Sequence, residues 1–111
     1  MKPYTYILVR GDLSPAQQMV QACHAALEAG FAFSAPAETS SLITLSVPDK
    51  AALLAAQARL EAKGIRTLCF FEPDFDMGFS ALATCPLYEK KERFALSKYP
   101  LFGKESRHAA A

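Results

Sequence analysis

The run Tyr4-Thr5-Tyr6-Ile7-Leu8-Val9-Arg10-Gly11-Asp12-Leu13-Ser14-Pro15-Ala16-Gln17 holds a strand, a turn and a helix start in fourteen residues. Residues 4–10 are rich in β-branched and aromatic side chains and almost continuously apolar, which predicts a central strand covered on both faces. Gly11, Asp12 and Leu13 make the turn. Ser14 at the N-cap, Pro15 at the first helical position and Gln17 at the third form a capping box with its preferred proline. The helix is predicted to run to about Ala29, with Gly30 ending it. Met19, Val20, Cys23, Ala26 and Leu27 fall on one face of it, and Gln17, Gln21, His24 and Glu28 on another.

Outward from that unit the pattern repeats. Residues 31–40 read as a loop and 42–47 as a second strand. Pro48, Asp49 and Lys50 start a second helix, with Leu53, Leu54, Ala56 and Leu60 near helical spacing and Gly64 as its stop. Residues 65–71 form a third strand, 72–78 a loop, 79–85 a fourth strand ended by Pro86, and 89–98 a short helix. The order β-α-β-α-β-β-α with right-handed crossovers predicts an α/β fold. It is a three-layer α/β/α sandwich on a four-stranded mixed sheet, with the fourth strand antiparallel. One domain is expected over residues 1–102 and a flexible tail over 103–111.

At 111 residues, with 51% apolar and 21% charged residues, the chain suits one globular core and not a disordered segment. Twelve Lys and Arg against eleven Asp and Glu leave a net charge of +1. That excludes a strongly basic coat, so nucleic acid could be met only through a local patch. Cys23, Cys69 and Cys85 are an odd set, expected to be buried free thiols of a reducing cytosol. The first residues resemble no leader, and no apolar run reaches the ~20 residues a membrane helix needs, so a cytoplasmic setting is expected.

Few motifs carry chemistry. Arg10-Gly11-Asp12 spells an adhesion tripeptide but reads better as a strand end and turn. His24 and His108 lie 84 positions apart and no cysteine pair has ligand spacing, so no zinc site and no other metal or cofactor is expected. Cys23 and His24 are ~100° apart on a helix and form no nucleophile–base pair by themselves. Glycine-rich nucleotide loops are absent. Glu72, Asp74 and Asp76 alternate, so an extended segment would turn all three to one hard cation, but a plain solvated loop is the better reading, since the sequence shows no other oxygen ligands. That loop and the turn at residues 11–14 follow the first and third strands. In a parallel arrangement they share the sheet edge where α/β ligands bind. Gln17 and Gln21 can reach that crevice, although Gln17 also has its capping role, and Gln21 and His24 could be solvated or satisfied under a loop.

Val9-Arg10-Gly11-Asp12-Leu13 followed by Gln21-Ala22-Cys23-His24-Ala25-Ala26 resembles the opening of the type II peptidyl-tRNA hydrolase family. The divergent peptidyl-tRNA hydrolase domain-containing subgroup is the most similar. Lys63-Gly64-Ile65, Glu72, Ala83-Thr84-Cys85 and Leu101-Phe102 extend the likeness over about residues 4 to 102. The resemblance implies metal-free hydrolysis of the ester between a peptide and tRNA, and often a homodimer. It implies that Gln21, Glu72, Thr84 and Gln17 are catalytic, with Asp74 the alternative to Glu72. It also implies that Arg10, Asp12, Ser14, His24, Asp74, Lys90 and Lys91 bind substrate. In that chemistry a carboxylate orients water, while amides and a helix N-terminus meet the oxyanion. The chain departs from the pattern where the family lysine falls on Gln17, and where the turn before the helix lacks the family's glycines and lysines. A non-catalytic binding module of the same fold, for RNA, a small ligand or a protein partner, is the other reading.

Overall fold

The structure, a computed structural model, describes residues 1–104. Most of the expected tail, with His108, lies outside the described residues. The elements are β1 (Tyr4–Arg10), α1 (Pro15–Ala32), β2 (Ser41–Val47), α2 (Lys50–Ala62), β3 (Thr67–Glu72), β4 (Gly78–Thr84) and α3 (Lys90–Phe94). The fold class and element order are as the sequence predicts. The strands lie in the order β2-β1-β4-β3. β1 pairs with β2 in parallel, and β4 runs antiparallel to both β1 and β3. β1 and β3 are therefore parallel but not adjacent, because β4 returns between them.

Handedness explains the layers. The crossover from β1 to β2 and the crossover from β2 to β3 travel in opposite directions across the sheet, so right-handed connections put α1 and α2 on opposite faces. The α2 face holds the larger core, with Leu8, Leu53, Leu60 and Leu82 fully enclosed. Each such leucine contributes roughly 1.5–3 kcal/mol by leaving water. Residues 100–102 pair with the outer edge of β2, through Ser46 N–H to Pro100 C=O and Phe102 N–H to Thr44 C=O.

The α1 face is built differently. Ile7, Val9, Ala25, Ala29, Ala81 and Ala83 form a small cluster in which alanine meets alanine. Helix α1 buries Gln21, Ala25 and Ala29, while Met19, Val20, Leu27 and Phe31 are exposed. The larger apolar residues of α1 therefore point outward, and its small residues let the helix approach the sheet. The helix also passes Gly30 and ends at Ala32, where Phe33 N–H bonds Ala29 C=O, so the loop starts later than expected. Nothing lies within 4 Å of a Cβ at Gly30, and no positive φ is needed there. The three cysteines are free, but Cys23 is exposed and Cys69 and Cys85 are only half-buried, because Cys23 shares the outward face.

Two smaller elements bear on the site. Ser14 caps α1, its Oγ accepting from Gln17 N–H while Ser14 N–H donates to Gln17 Oε1, both at 3.2 Å. The β3–β4 connection is a short 3₁₀ turn, Asp74–Asp76, with Phe75 and Asp76 at φ 59° and 53°. For a bulky side chain such as Phe75 the left-handed region costs about 1–2 kcal/mol. The close helix–sheet approach makes Ala25 intolerant of volume. Ala25→Leu is expected to lose 1–3 kcal/mol in urea unfolding, where Leu27→Ala loses under about 1 kcal/mol.

Candidate functional site

Gln21 lies in the second turn of α1, turned to the sheet and only 3% exposed. A buried amide needs partners for both ends. Gln21 Nε2 donates to Glu72 Oε1 at 2.8 Å, and Ser80 Oγ donates to Gln21 Oε1 at 2.5 Å. The carboxylate only accepts and the hydroxyl here donates, so these two neighbours fix which way the amide points. Ser80 is fully buried. It faces α1 because β4 carries a bulge: Phe70 pairs with Ala81 and Phe71 with Phe79, leaving Ser80 as the extra residue. Ser80 and Ala81 consequently both turn to α1, whereas strict alternation would send Ser80 to the α2 face with Leu82.

Glu72 ends β3, half-buried, with Oε2 accepting from Asp74 N–H at 3.3 Å. Its carboxyl is held below the usual glutamate range, first by the Gln21 hydrogen bond, then by the Asp74 N–H. Desolvation opposes these, and the electrostatic influence of His24 adds to them. The His24 ring stacks flat on Phe70, centroids 4.5 Å apart. The site is thus an ionised carboxylate gripped at both oxygens, with an imidazole beside it and a fixed amide behind it.

The remaining sequence-predicted residues divide. Arg10 grips Asp12 through Nε and Nη2, each at 3.0 Å, and its Nη1 donates to the Met77 and Phe79 carbonyls at 2.9 and 3.0 Å. This clamp ties the turn after β1 to the start of β4, and the Arg10 hydrogen bond holds the Asp12 carboxyl low. Ser14 and Gln17 are joined in the capping box, while the Gln17 amide NH₂ has no hydrogen-bond partner among the described residues. Thr84 lies at the other end of β4, five residue steps past Phe79 and roughly 15–20 Å along the strand from the Glu72 end. Its Oγ1 accepts from Tyr6 N–H at 3.1 Å, binding β4 to β1. Lys90 and Lys91 start α3, which packs with the α2-side core, on the sheet face opposite Gln21. Lys50, the first residue of α2, belongs to that opposite face as well, with its Nζ 3.9 Å from a Cβ built on Gly78.

Glu72, Asp74 and Asp76 do not converge. The segment coils into the 3₁₀ turn and is not extended, and among the described residues no three His, Cys, Asp or Glu side chains are grouped to hold a metal ion. No helix among them is long and apolar enough to cross a membrane. No protein-family profile matches the chain, and no curated protein matches it.

The geometry sets two outcomes. Ser80→Ala leaves Gln21 Oε1 buried without a donor and is expected to cost about 1–3 kcal/mol in chemical denaturation. The Glu72 and Asp12 carboxyls have folded-state pKa values below their unfolded ones. The stability they contribute is therefore complete above about pH 5 and is lost as pH falls through the lowered values. In a carboxyl-carbon NMR titration, Gln21→Met should raise the Glu72 midpoint and leave that of Asp12 in place.

Proposed function

We propose that the chain is a peptidyl-tRNA hydrolase-like enzyme that cleaves, without a metal, the ester joining a peptide or N-blocked amino acid to tRNA. The observation that carries the reading is the ionised Glu72 carboxylate, fixed by Gln21 and the Asp74 N–H at the sheet edge. Its free lone pairs can orient a water for attack on the ester carbonyl and take up the proton as the bond forms. The Gln17 NH₂ group, one turn before Gln21, supplies donors for the developing oxyanion. Support also comes from the resemblance of the Arg10–Leu13 and Gln21–Ala26 segments, which meet here on one strand, turn and helix. In this reading Thr84 and Arg10 act as structural residues.

The reading sets the enzyme in the cytoplasm. It makes the enzyme a homodimer whose uncharged outer α1 face, with Met19, Leu27 and Phe31 exposed, meets a second copy. The specific observation favouring a binding module of the same fold is Gln17, which has no positive charge where the family places its lysine.

Release of free tRNA from N-acetyl-aminoacyl-tRNA by the purified protein separates the two. Turnover should persist in EDTA and fall about 10²-fold or more in Glu72→Gln and Gln21→Ala variants that keep their circular dichroism. Salt-sensitive tRNA binding with no turnover would replace the hydrolase with the binding module.

A further inference from the structure

A second cleft lies away from Glu72 and Gln21. It encloses about 690 Å³ between α2, the end of β2 and residues 98–100. That volume is in the range of small-molecule sites. Its walls are largely apolar, with Val47, Pro48, Ala52, Ala56 and Tyr99 among them.

Topology gives the cleft its position. The connection after β1 leads to α1 on one face, and the connection after the adjacent parallel strand β2 leads to α2 on the other. This is a switch point of an open α/β sheet, where a crevice opens outside the carboxyl ends of the strands. Gly11, which follows β1, and Pro48, which follows β2, both line the cleft. Gly11 N–H bonds Val47 C=O at 2.7 Å, and a Cβ at Gly11 would come within 3.4 Å of that same carbonyl oxygen.

Charge gives the cleft its selectivity. Its charged lining residues are Arg59 and Lys98, and no acidic side chain lines it. Both cations flank one ring: the Arg59 guanidinium carbon is 5.6 Å and Lys98 Nζ 5.8 Å from the Tyr99 centroid. Arg59 Nη1 donates to Ala95 C=O at 2.8 Å and to Tyr99 Oη at 3.2 Å. Its Nε and Nη2 have no hydrogen-bond partner among the described residues, whose one ion pair is Arg10 with Asp12. The free Nε and Nη2 donors are coplanar and parallel, the arrangement that matches the two oxygens of a carboxylate.

We infer that this switch-point cleft binds a small organic anion, a carboxylate carried on an apolar body. Arg59 takes the carboxylate through two parallel hydrogen bonds, Lys98 adds charge at the mouth, and the alanine side of α2 receives the apolar part. The proposal is independent of the Glu72 site.

Sodium decanoate, decanol and decyl phosphate titrated into the full chain test it, read by amide chemical shifts. Decanoate should bind saturably below about 1 mM, with shifts at Gly11, Ala52 and Ala55, and decanol about tenfold or more weaker. Arg59→Met and Lys98→Met should each weaken decanoate several-fold to tenfold and leave decanol unchanged, and Ala55→Trp should block both. Arg59 also supports the Ala95 carbonyl, so the Lys98 and Ala55 variants carry the test if Arg59→Met fails to fold. Absence of saturable decanoate binding, equal binding of decanol, tighter binding of decyl phosphate, or indifference to Lys98→Met and Ala55→Trp would overturn the assignment.

Discussion

The amide of Gln21 has to be satisfied in the dark space between helix and sheet, and much of the α1 side follows from that. Its oxygen needs a donor from below, which Ser80 provides, and its NH₂ needs an acceptor at the edge, which Glu72 provides. An unpaired buried amide group costs on the order of 1–3 kcal/mol, so the three side chains hold or fail together. The alanines at 25, 29, 81 and 83 bring the helix close enough for these short bonds to form. The Arg10 clamp on Asp12 and on the carbonyls at 77 and 79 fixes the approach of β4 from the other side. The site carboxylate is thus positioned by packing and by hydrogen bonds that reach across three elements.

The two faces of the sheet divide the work. The α2 face carries the leucine-rich core and the stiffness it confers, with α3 and residues 100–102 closing it at the side. The α1 face, thinly packed, carries the polar joint. Charge is divided as well: the lysines of α3 and Lys50 of α2 are on the core side, whereas His24 is beside Glu72. A molecule recognised by Glu72 would meet aromatic surface at His24 and Phe70 and little positive charge.

Local signals were legible in the sequence and register was not. The capping box of Ser14, Pro15 and Gln17 involves neighbours only, so composition sufficed to read it. The element order followed from hydrophobic period and punctuation by Gly64 and Pro86. The direction of α1 did not follow, because its large apolar residues sit outward and its core face is alanine and glutamine, the reverse of ordinary amphipathicity. Gln21 and Glu72, singled out by residue type and resemblance, do meet, although 51 positions separate them. Ser80 does not stand out in sequence, because a serine in Phe79-Ser80-Ala81-Leu82 looks like one more alternating position. Only the pairing of β4 with β3 reveals the extra residue, and no residue in β4 announces it. Thr84 looked equivalent to a site threonine by sequence position, yet the length of the strand carries it to the far end of the sheet.

The bulge in β4 makes the site depend on counting as much as on chemistry. Point substitution at Ser80 removes one hydroxyl. Deleting Ser80 instead restores regular pleating, with Phe79 and Leu82 still on the α2 face and Ala81 and Ala83 still on the α1 face. In the lineage of such a fold, a strand one residue shorter would therefore keep its sheet and its two cores while losing the extra position that faces Gln21. Relatives that keep Gln21 and Glu72 but have a β4 shortened at the serine would share the outline of the domain and lack its polar joint.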